Sequence, residues 1–345
     1  MMNITIIDVA KAAGVSPSTV SRVISGSTRI SAATSKKVKE IMEELGYHPN
    51  AMAKNLVSRT TMTIGLLLPR NADEAFLDIF FPEVTRGILS QANRSGYDLL
   101  LKTGMTECEE VEAVTKLVKG RRVDGIILLQ SRNKDAVVRF LHEEKFPFVL
   151  IGRTPEFPDI MTVDNDNRQA AYDVTRHLLQ QGHTRIGFVG GPLEMVVSSD
   201  RFEGYRSAMQ EAGIEPRPDW YHIEASKLKD DGYRVMSMLM GTPERPTALV
   251  VMDDLVAFGI LSSLSELGYN VPQDMAIFGF NNNPMSPVSS PPVSSVDIGV
   301  YQLGYTAAQA LVGALKGQPQ ERRRTIVPHR LIARESSMHW ISPKS

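Results

Sequence analysis

From residue 62 onward, short apolar runs alternate with stretches of helical spacing, and this alternation limits the fold more than any other feature of the chain. Seven runs are typical of buried strands: Ile64–Leu68, Asp98–Leu101, Gly125–Leu129, Phe148–Ile151, Ile186–Val189, Ala248–Val251 and Ala276–Phe280. Helical stretches begin near Pro82, Glu107, Asp135, Asn167, Ser199, Asp230 and Asp254. Buried runs joined by helices predict an α/β protein whose parallel sheets carry helices on both faces.

This region is longer than one usual domain, so the pattern predicts two doubly wound lobes. A ligand cleft is expected at the carboxyl ends of their strands. The polar segments 163–167 and 281–292 are predicted to cross between the lobes. We therefore expect a core at 61–340, with an N-lobe at about 61–161 and 293–324 and a C-lobe at about 162–292 and 325–340.

The charge of the chain is unevenly distributed. Residues 1–60 carry eight Lys or Arg and four Asp or Glu, a net charge of +4, whereas the remaining residues carry −5. A basic N-terminal segment joined to an acidic remainder is typical of a protein whose N-terminal part binds a polyanion. A basic face that is merely solvated has the same composition, so charge alone leaves both interpretations open.

Residues 1–47 have the pattern of three short helices. Thr5, Ser16 and Ser31 precede apolar residues at helical spacing, as N-cap residues do, and Gly14 ends the first helix. Two short helices with a tight turn, followed by a third, match the helix-turn-helix plan. A plain three-helix bundle, in which the hydroxyls only cap helices, fits the same spacing.

The second of these helices presents polar residues on its outward face, namely Pro17, Ser18, Ser21, Arg22 and Ser25. An arginine can give a guanine two parallel hydrogen bonds, and hydroxyls can bind phosphates or base edges. In 48–60, Pro49 precedes a segment that could form only a two-turn helix, which needs a partner surface to persist. Either it enters a minor groove, with Leu56 as an apolar wedge, or it is an ordinary linker.

The N-terminal region resembles the headpiece and hinge of the lactose-repressor/galactose-repressor (LacI) family. The matching motifs are Asp8–Ala10, Ala13–Val23, Ser31–Thr34, Leu45–Asn50 and Ala53–Leu56. The resemblance implies that Pro17, Ser18 and Arg22 read bases of a palindromic double-stranded operator. It also implies a homodimer in which Leu56 of each subunit wedges the operator centre. By the same resemblance the remaining DNA-binding residues, most of which position phosphates, are Thr5, Ser16, Thr19, Ser21, Ser31, Thr34, Asn50, Ala53 and Lys54.

Residues 62–335 resemble the periplasmic sugar-binding-protein fold that forms the core of this family. The resemblance implies that Phe80 and Phe81 form an aromatic platform for a sugar ring, although core packing would also explain such a pair. It matches Arg201 to a ligand-binding arginine, and Asp253 to a polar ligand contact. Asn281 stands where the family usually has an acidic residue. Arg153, in the hinge region, is a further candidate for effector binding.

Within the family, several motifs resemble those of the maltose operon repressors of Gram-positive bacteria. They are Lys119–Gly125, Phe146–Phe148, Val163–Asn167 and Val296–Ile298. This resemblance implies a repressor released by maltose or a maltodextrin. Glucose-regulated relatives share many of these motifs, so another sugar remains open. Two further alternatives are a catabolite-control regulator whose co-repressor is a phosphorylated carrier protein, and a sugar-binding protein without a DNA role.

Other patterns predict what the chain lacks. Neither a nucleotide-binding glycine motif nor a nucleophile elbow occurs, and the seven histidines lack metal-binding spacing, so we expect no enzyme, cofactor or metal site. The single cysteine, Cys108, excludes a disulfide framework. We expect a cytoplasmic protein with no membrane partner, because secretory and membrane-spanning patterns are missing. An apolar heptad tail is also missing, which favours a dimer over a tetramer.

Overall fold

The computed structural model describes residues 4–24, 27, 29–47, 60–68, 79–129, 131–223, 229–319 and 323–338. Contacts divide the chain into two separate units, 1–61 and 62–345. Within the described ranges, no helix is long and apolar enough to cross a membrane.

Three helices form the first unit: α1 (Ile6–Ala13), α2 (Pro17–Ile24) and α3 (Ala32–Glu44). Their inward faces bury a small core of Val9, Ala10, Ala13, Val20, Val23 and Val38. Gly14 ends α1 in the left-handed conformation at φ 68°, which lets the chain turn directly into α2. The predicted three-helix pattern of this region is confirmed. The predicted hinge segment, 48–60, lies outside the described residues except for Thr60.

Two six-stranded sheets form the centre of the second unit. The strands are β1 (Thr63–Leu67), β2 (Asp98–Lys102), β3 (Gly125–Leu128), β4 (Phe148–Ile151), β5 (Thr162–Asp164), β6 (Ile186–Val189), β7 (Tyr221–His222), β8 (Ala248–Val251), β9 (Ala276–Phe280), β10 (Ser294–Asp297), β11 (Arg324–Ile326) and β12 (Arg330–Ile332). The first lobe has the order β11-β5-β4-β3-β1-β2 and the second has β12-β10-β9-β8-β6-β7. Strand β12 pairs antiparallel with β10, and the other neighbours pair in parallel.

Helices cover both sheets, as parallel strands require. They are α4 (Phe80–Arg94), α5 (Glu107–Lys119), α6 (Ala136–Glu143), α7 (Asn167–Gln180), α8 (Val196–Glu211), α9 (Lys229–Met240), α10 (Asp254–Glu266) and α11 (Val300–Leu315). Helices α4 and α11 pack together on the first lobe, while α7 packs against α8 and α9 against α10 on the second. The central strands β3, β4, β6, β8 and β9 are fully buried, which explains their uninterrupted apolar runs.

The chain passes between the lobes after β5, after β10 and after β11. Asn165, in the first crossover, ties the three passages together. Its Nδ2 donates to the carbonyl oxygens of Ile298 at 2.8 Å and of Val327 at 2.9 Å. The lobes are therefore joined at a compact hinge whose three segments share one buried amide.

The seven predicted strands all form, but two expectations about the connections are wrong. The segment 281–292 does not cross between lobes, because β9 and β10 on either side of it pair in the same sheet. Sheet membership also places Thr162–Asp164 in the first lobe and Ser294–Asp297 in the second, which moves the predicted lobe boundaries. These two strands carry Thr, Ser and Asp, so they do not stand out as apolar runs.

Candidate functional site

In the first unit, the N-terminal ends of α2 and α3 expose hydroxyl groups. Ser16 Oγ accepts a hydrogen bond from the Thr19 amide at 3.1 Å, and Ser31 Oγ accepts one from the Thr34 amide at 3.2 Å. Helix N-termini have partly positive amides, and exposed hydroxyls beside them are donors for a phosphate oxygen. Both ends can therefore bind an anion such as a DNA phosphate.

The N-terminal end of α1 is different. The Asp8 carboxylate accepts hydrogen bonds from both the amide of Thr5, at 2.9 Å, and its hydroxyl, at 2.7 Å. These bonds lower the pKa of Asp8, so a negative charge already occupies this helix end. Thr5 is exposed, but its hydroxyl can donate to a phosphate only by leaving Asp8.

The outward face of α2 matches the predicted base-reading surface. Its residues Pro17, Ser18, Ser21 and Arg22 are exposed, whereas Val20 and Val23 are buried. A rigid helix of this kind, with a short polar face and an arginine, can enter a major groove. Among the predicted DNA contacts, Asn50, Ala53, Lys54 and Leu56 lie outside the described residues.

In the second unit, Arg201 of α8 lies at the carboxyl ends of the second lobe's strands. Its Nε donates to Asn167 Oδ1 at 3.0 Å and its Nη1 to the Met252 carbonyl at 2.8 Å. The guanidinium lies 4.0 Å from the centre of the Phe280 ring, a cation–π contact. Burial lowers the pKa of Arg201 to about 10, so it stays charged at neutral pH.

Asp253 and Asn281 meet beside this arginine, at the ends of β8 and β9. Asn281 Nδ2 donates to Asp253 Oδ2 at 2.6 Å, and Asp253 Oδ1 caps α10 by accepting from the Leu255 amide at 2.8 Å. Asn281 has a left-handed backbone, with φ 87°, a conformation that asparagine tolerates better than most residues. Three of the predicted effector residues are thus brought together here.

Behind this pair lies a second carboxylate, Asp254, which is fully buried. It accepts hydrogen bonds from the Asn283 amide and the Ser286 hydroxyl at 2.7 Å, and from the Ser295 hydroxyl at 2.8 Å. Burial raises its pKa to about 7, and the neighbouring charge of Asp253 adds to that effect. Asp254 supports the loops that carry Asn281 rather than facing the cleft.

Arg153 follows β4 in the first lobe and reaches the second. Its Nε donates to Asp200 Oδ2 at 2.8 Å, and its Nη2 donates to the other carboxylate oxygen. This bond raises the pKa of Arg153, because the charged form is stabilised. Asp200 directly precedes Arg201 on α8, so Arg153 also belongs to this cluster.

The lobes touch again through backbone, at what we call the lip: residues 131–133 of the first lobe and 193–196 of the second. Arg132 and Met195 form an antiparallel bridge, the Asn133 amide donates to the Glu194 carbonyl at 2.9 Å, and the Val196 amide donates to the Ser131 carbonyl at 3.2 Å. The Arg132 side chain turns back into its own lobe, where Nη1 donates to the buried Glu110 at 3.1 Å. The cleft is closed at the lip.

Phe80 and Phe81 open α4 in the first lobe. Their rings meet edge to face, with centroids 5.1 Å apart. Phe81 is buried in the hydrophobic core, whereas Phe80 is half-buried and packs against that core. Phe80 is therefore the more exposed of the two, and Phe81 acts chiefly as core.

Sequence reasoning missed several members of the cluster. Asn167, Asp200 and Phe280 each contact a predicted effector residue. Asp200 and Phe280 each adjoin a predicted residue in the chain, a signal that could have found them. Asn167 is visible in the sequence only as the start of a helix, since its partner Arg201 is distant in the chain.

The cluster's charge decides which ligands it suits. Asp164, Asp200, Asp253 and Asp254 all act electrostatically on Arg201. With Arg153, the cluster holds two cations among these four carboxyl groups, so it favours a neutral ligand rich in hydroxyls over an anion. Across the described ranges, no group of His, Cys, Asp or Glu side chains has the arrangement of a metal site.

Comparisons with known proteins find matches to both units of the chain. A model of bacterial regulatory proteins of the lacI family matches residues 5–50, and one of a periplasmic binding protein-like domain matches residues 175–337. The chain is 35% identical over 335 residues to the HTH-type transcriptional regulator MalR of Streptococcus pneumoniae, covering 96% of this chain and 99% of that protein.

Two other relatives extend the comparison. Catabolite control protein A of Priestia megaterium is 34% identical over 338 residues, covering 97% of this chain and all of that protein. A solved structure of a complex between the transcriptional regulator CelR and cellobiose is 32% identical, with a TM-score of 0.75, and covers 96% of this chain and 99% of its own.

Proposed function

Because the chain belongs to the LacI family of bacterial regulatory proteins, we propose that it is a repressor released from its operator by maltose or a maltodextrin. Members of the family are transcriptional regulators, and this chain is one of them rather than an enzyme. In the proposal, two copies form a homodimer whose headpieces bind the halves of a palindromic operator. The observation that carries the effector site is the cluster of Arg201, Asp253 and Asn281 at the strand ends.

The chemistry of the cluster supports a neutral sugar. The Arg201 Nη2 has no hydrogen-bond partner among the described residues, so it can donate to a sugar hydroxyl. Carboxylates accept hydroxyl hydrogens, and the resemblance assigns the half-buried Phe80 to stacking on the C–H surface of a pyranose. A sugar phosphate would meet the excess of carboxylates and be disfavoured.

Similarity supports a disaccharide of glucose. The MalR relative belongs to the same group of repressors that the sequence motifs resemble. The CelR structure has a similar fold and contains cellobiose, which is a disaccharide. Maltose or a maltodextrin is the effector that the similarity to MalR and the sequence motifs favour together. The effector acts only if its affinity differs between the DNA-binding and the released conformations.

The proposal is tested by fluorescence anisotropy of a labelled palindromic operator with the full chain at fixed salt, since phosphate contacts make every affinity salt-dependent. Maltose and maltotriose are expected to release the DNA, whereas cellobiose and glucose are not. The Arg201→Ala variant should bind the operator normally and ignore the sugar. Arg206→Ala, an exposed arginine of the same helix, is the matched control and should respond like the wild type.

Two outcomes would contradict the proposal. If the chain binds the operator but none of these sugars releases it, the maltose assignment fails. The similarity to Catabolite control protein A favours a second candidate function. In that alternative, the chain is a regulator whose co-repressor is a phosphorylated carrier protein. Tightening of operator binding by such a carrier, with no response to sugars, would establish that candidate instead.

A further inference from the structure

We propose that Asn167 is a positioning residue of the effector site, holding Arg201 in its ligand-binding orientation and linking it to the hinge between the lobes. The inference rests on the effector site proposed above and adds to it a route from that site to the hinge. Asn167 itself is buried at the first position of α7, directly after the first crossover.

The first step is the fixed orientation of the Asn167 amide. Its Oδ1 accepts from Arg201 Nε at 3.0 Å, and its Nδ2 lies 3.4 Å from Asp164 Oδ1, a longer hydrogen bond. A flipped amide would place its NH₂ group against the guanidinium and its oxygen against the carboxylate. Both contacts would be repulsive, so the two neighbours select one orientation.

The second step is how completely Arg201 is held. Asn167 fixes Nε, the Met252 carbonyl fixes Nη1, and the Phe280 ring supports one face. The last two contacts come from the ends of β8 and β9, within the second lobe. Asn167 directly follows the crossover, so among these three contacts it alone connects the arginine to the joint between the lobes.

The third step is how firmly the crossover holds Asn167. Asp164 ends β5 in the first lobe, and its Oδ1 also accepts from the Asn165 amide at 2.8 Å. The Asn165 side chain ties the three crossovers together, and Asp166 caps α7 by accepting from the Gln169 amide at 3.0 Å. A rotation of the lobes about this joint therefore alters the contact between Asn167 and Asp164, through which the acceptor of Arg201 is tied to the first lobe.

Asparagine is the residue that fits both neighbours. Alanine would leave Arg201 Nε without its acceptor in a site where little water enters, and an unmade hydrogen bond to a buried charge is costly. Aspartate would keep the acceptor for Nε but would set a second carboxylate against Asp164. The two substitutions thus separate the contact with the arginine from the contact with the hinge.

A measurement without any sugar tests the first contact. In ¹H–¹⁵N spectra of the full chain, the Arg201 Nε–H signal is assigned by its loss in Arg201→Lys. We expect its hydrogen exchange to be at least about tenfold faster in Asn167→Ala. It should stay slow in Asn167→Asp and in Gln169→Ala, an exposed control on the same helix. Unchanged exchange in Asn167→Ala would overturn the proposal.

Calorimetric titration of maltose and maltotriose tests the role in binding. Asn167→Ala should weaken binding about tenfold or more, and in an Arg201→Lys background, which keeps a cation but lacks the Nε–H that Asn167 accepts, it should have little further effect. Additive losses in this cycle would overturn the positioning role. If the wild type binds neither sugar, the proposed effector fails, and the exchange measurement then decides for or against Asn167 by itself.

Discussion

Arg153 of the first lobe and Asp200 of the second form a two-bond ion pair across the cleft, with Nε 2.8 Å from Oδ2. Asp200 is almost buried, whereas about a third of the Arg153 side chain is exposed. Asp200 directly precedes Arg201 in the chain, so the ion pair across the cleft and the proposed effector site use neighbouring residues. The backbone contacts at the lip reinforce the same closed arrangement.

Asp200→Asn should therefore open the cleft more often. The loss of this partly exposed pair is expected to cost about 1 kcal/mol, between a surface and a buried ion pair, or roughly fivefold in the opening equilibrium. The amides of Asn133 and Val196, which bond across the lip, report opening directly by hydrogen exchange. Glu203→Gln removes an exposed carboxylate of the same helix and should leave their exchange rates unchanged. Equal rates in both variants would show that the ion pair does not hold the lobes.

The headpiece makes a separate prediction. Arg22→Ala should weaken specific operator binding by about 1–3 kcal/mol, because a bidentate arginine–guanine contact is worth that much discrimination. Binding to unrelated DNA should change little. Lys36→Ala, which removes an exposed cation from α3, is the control for net charge. A similar loss of specific affinity in both variants, measured by anisotropy at fixed salt, would argue that Arg22 contributes charge rather than base reading.

The sequence was sufficient to predict those parts of the fold that depend on local patterns. The central strands carry unbroken apolar runs because both faces of each strand are buried, and all of them could be identified. Strands β5 and β10 escaped notice, since their Thr, Ser and Asp side chains serve the hinge and the Asp254 network. The lobe boundaries were misplaced for that reason.

The proposed effector site was partly predictable in the same way. Arg201, Asp253 and Asn281 were accessible through resemblance and through their positions after strands. Asn281 bonds to Asp253, and Arg201 contacts Met252 and Phe280, which are their neighbours in the chain. Asn167 was not accessible, because its role depends on a contact between α7 and α8 that only the folded chain creates. Likewise, the division of labour between Phe80 and Phe81 depends on how α4 packs on the sheet.

Close helix packing gives a prediction for stability. A Cβ added at Gly304 of α11 would lie 2.0 Å from the Val84 carbonyl oxygen of α4. Because that oxygen belongs to the backbone, the clash can be relieved only by moving one of the two helices. Gly304→Ala should therefore destabilise the core by about 1–3 kcal/mol, as overpacking does. Gly241→Ala is the matched control, since nothing lies within 3.4 Å of its added Cβ. Calorimetric melting should separate the two, and equal melting temperatures would contradict the tight crossing.

Asn281→Asp tests the pairing at the strand ends. The substitution replaces the amide that donates to Asp253 Oδ2 at 2.6 Å by a second carboxylate. Two carboxylates this close cannot both ionise cheaply, so the pair should hold a shared proton at low pH and repel at high pH. Between about pH 5.5 and pH 8 the variant should then lose more stability than the wild type, seen as a larger fall in its melting temperature. Each unit by which the pKa of the pair is raised corresponds to about 1.4 kcal/mol of free energy of unfolding. Parallel pH profiles would show that Asn281 and Asp253 are not coupled.

The buried Asp254 should make the stability of the second lobe depend on pH. Burial raises its pKa from the ordinary value of 3.8 to about 7. Between these values the folded state holds a proton that the unfolded state has lost, so stability falls as pH rises and levels off above about 7. The slope can reach about 1.4 kcal/mol per pH unit. Asp254→Asn removes this titration while keeping groups that can bond to Ser286, Ser295 and the Asn283 amide. The wild type should therefore lose stability relative to this variant between about pH 5 and pH 7, as measured by chemical denaturation. A constant difference across that range would mean that Asp254 is ionised throughout.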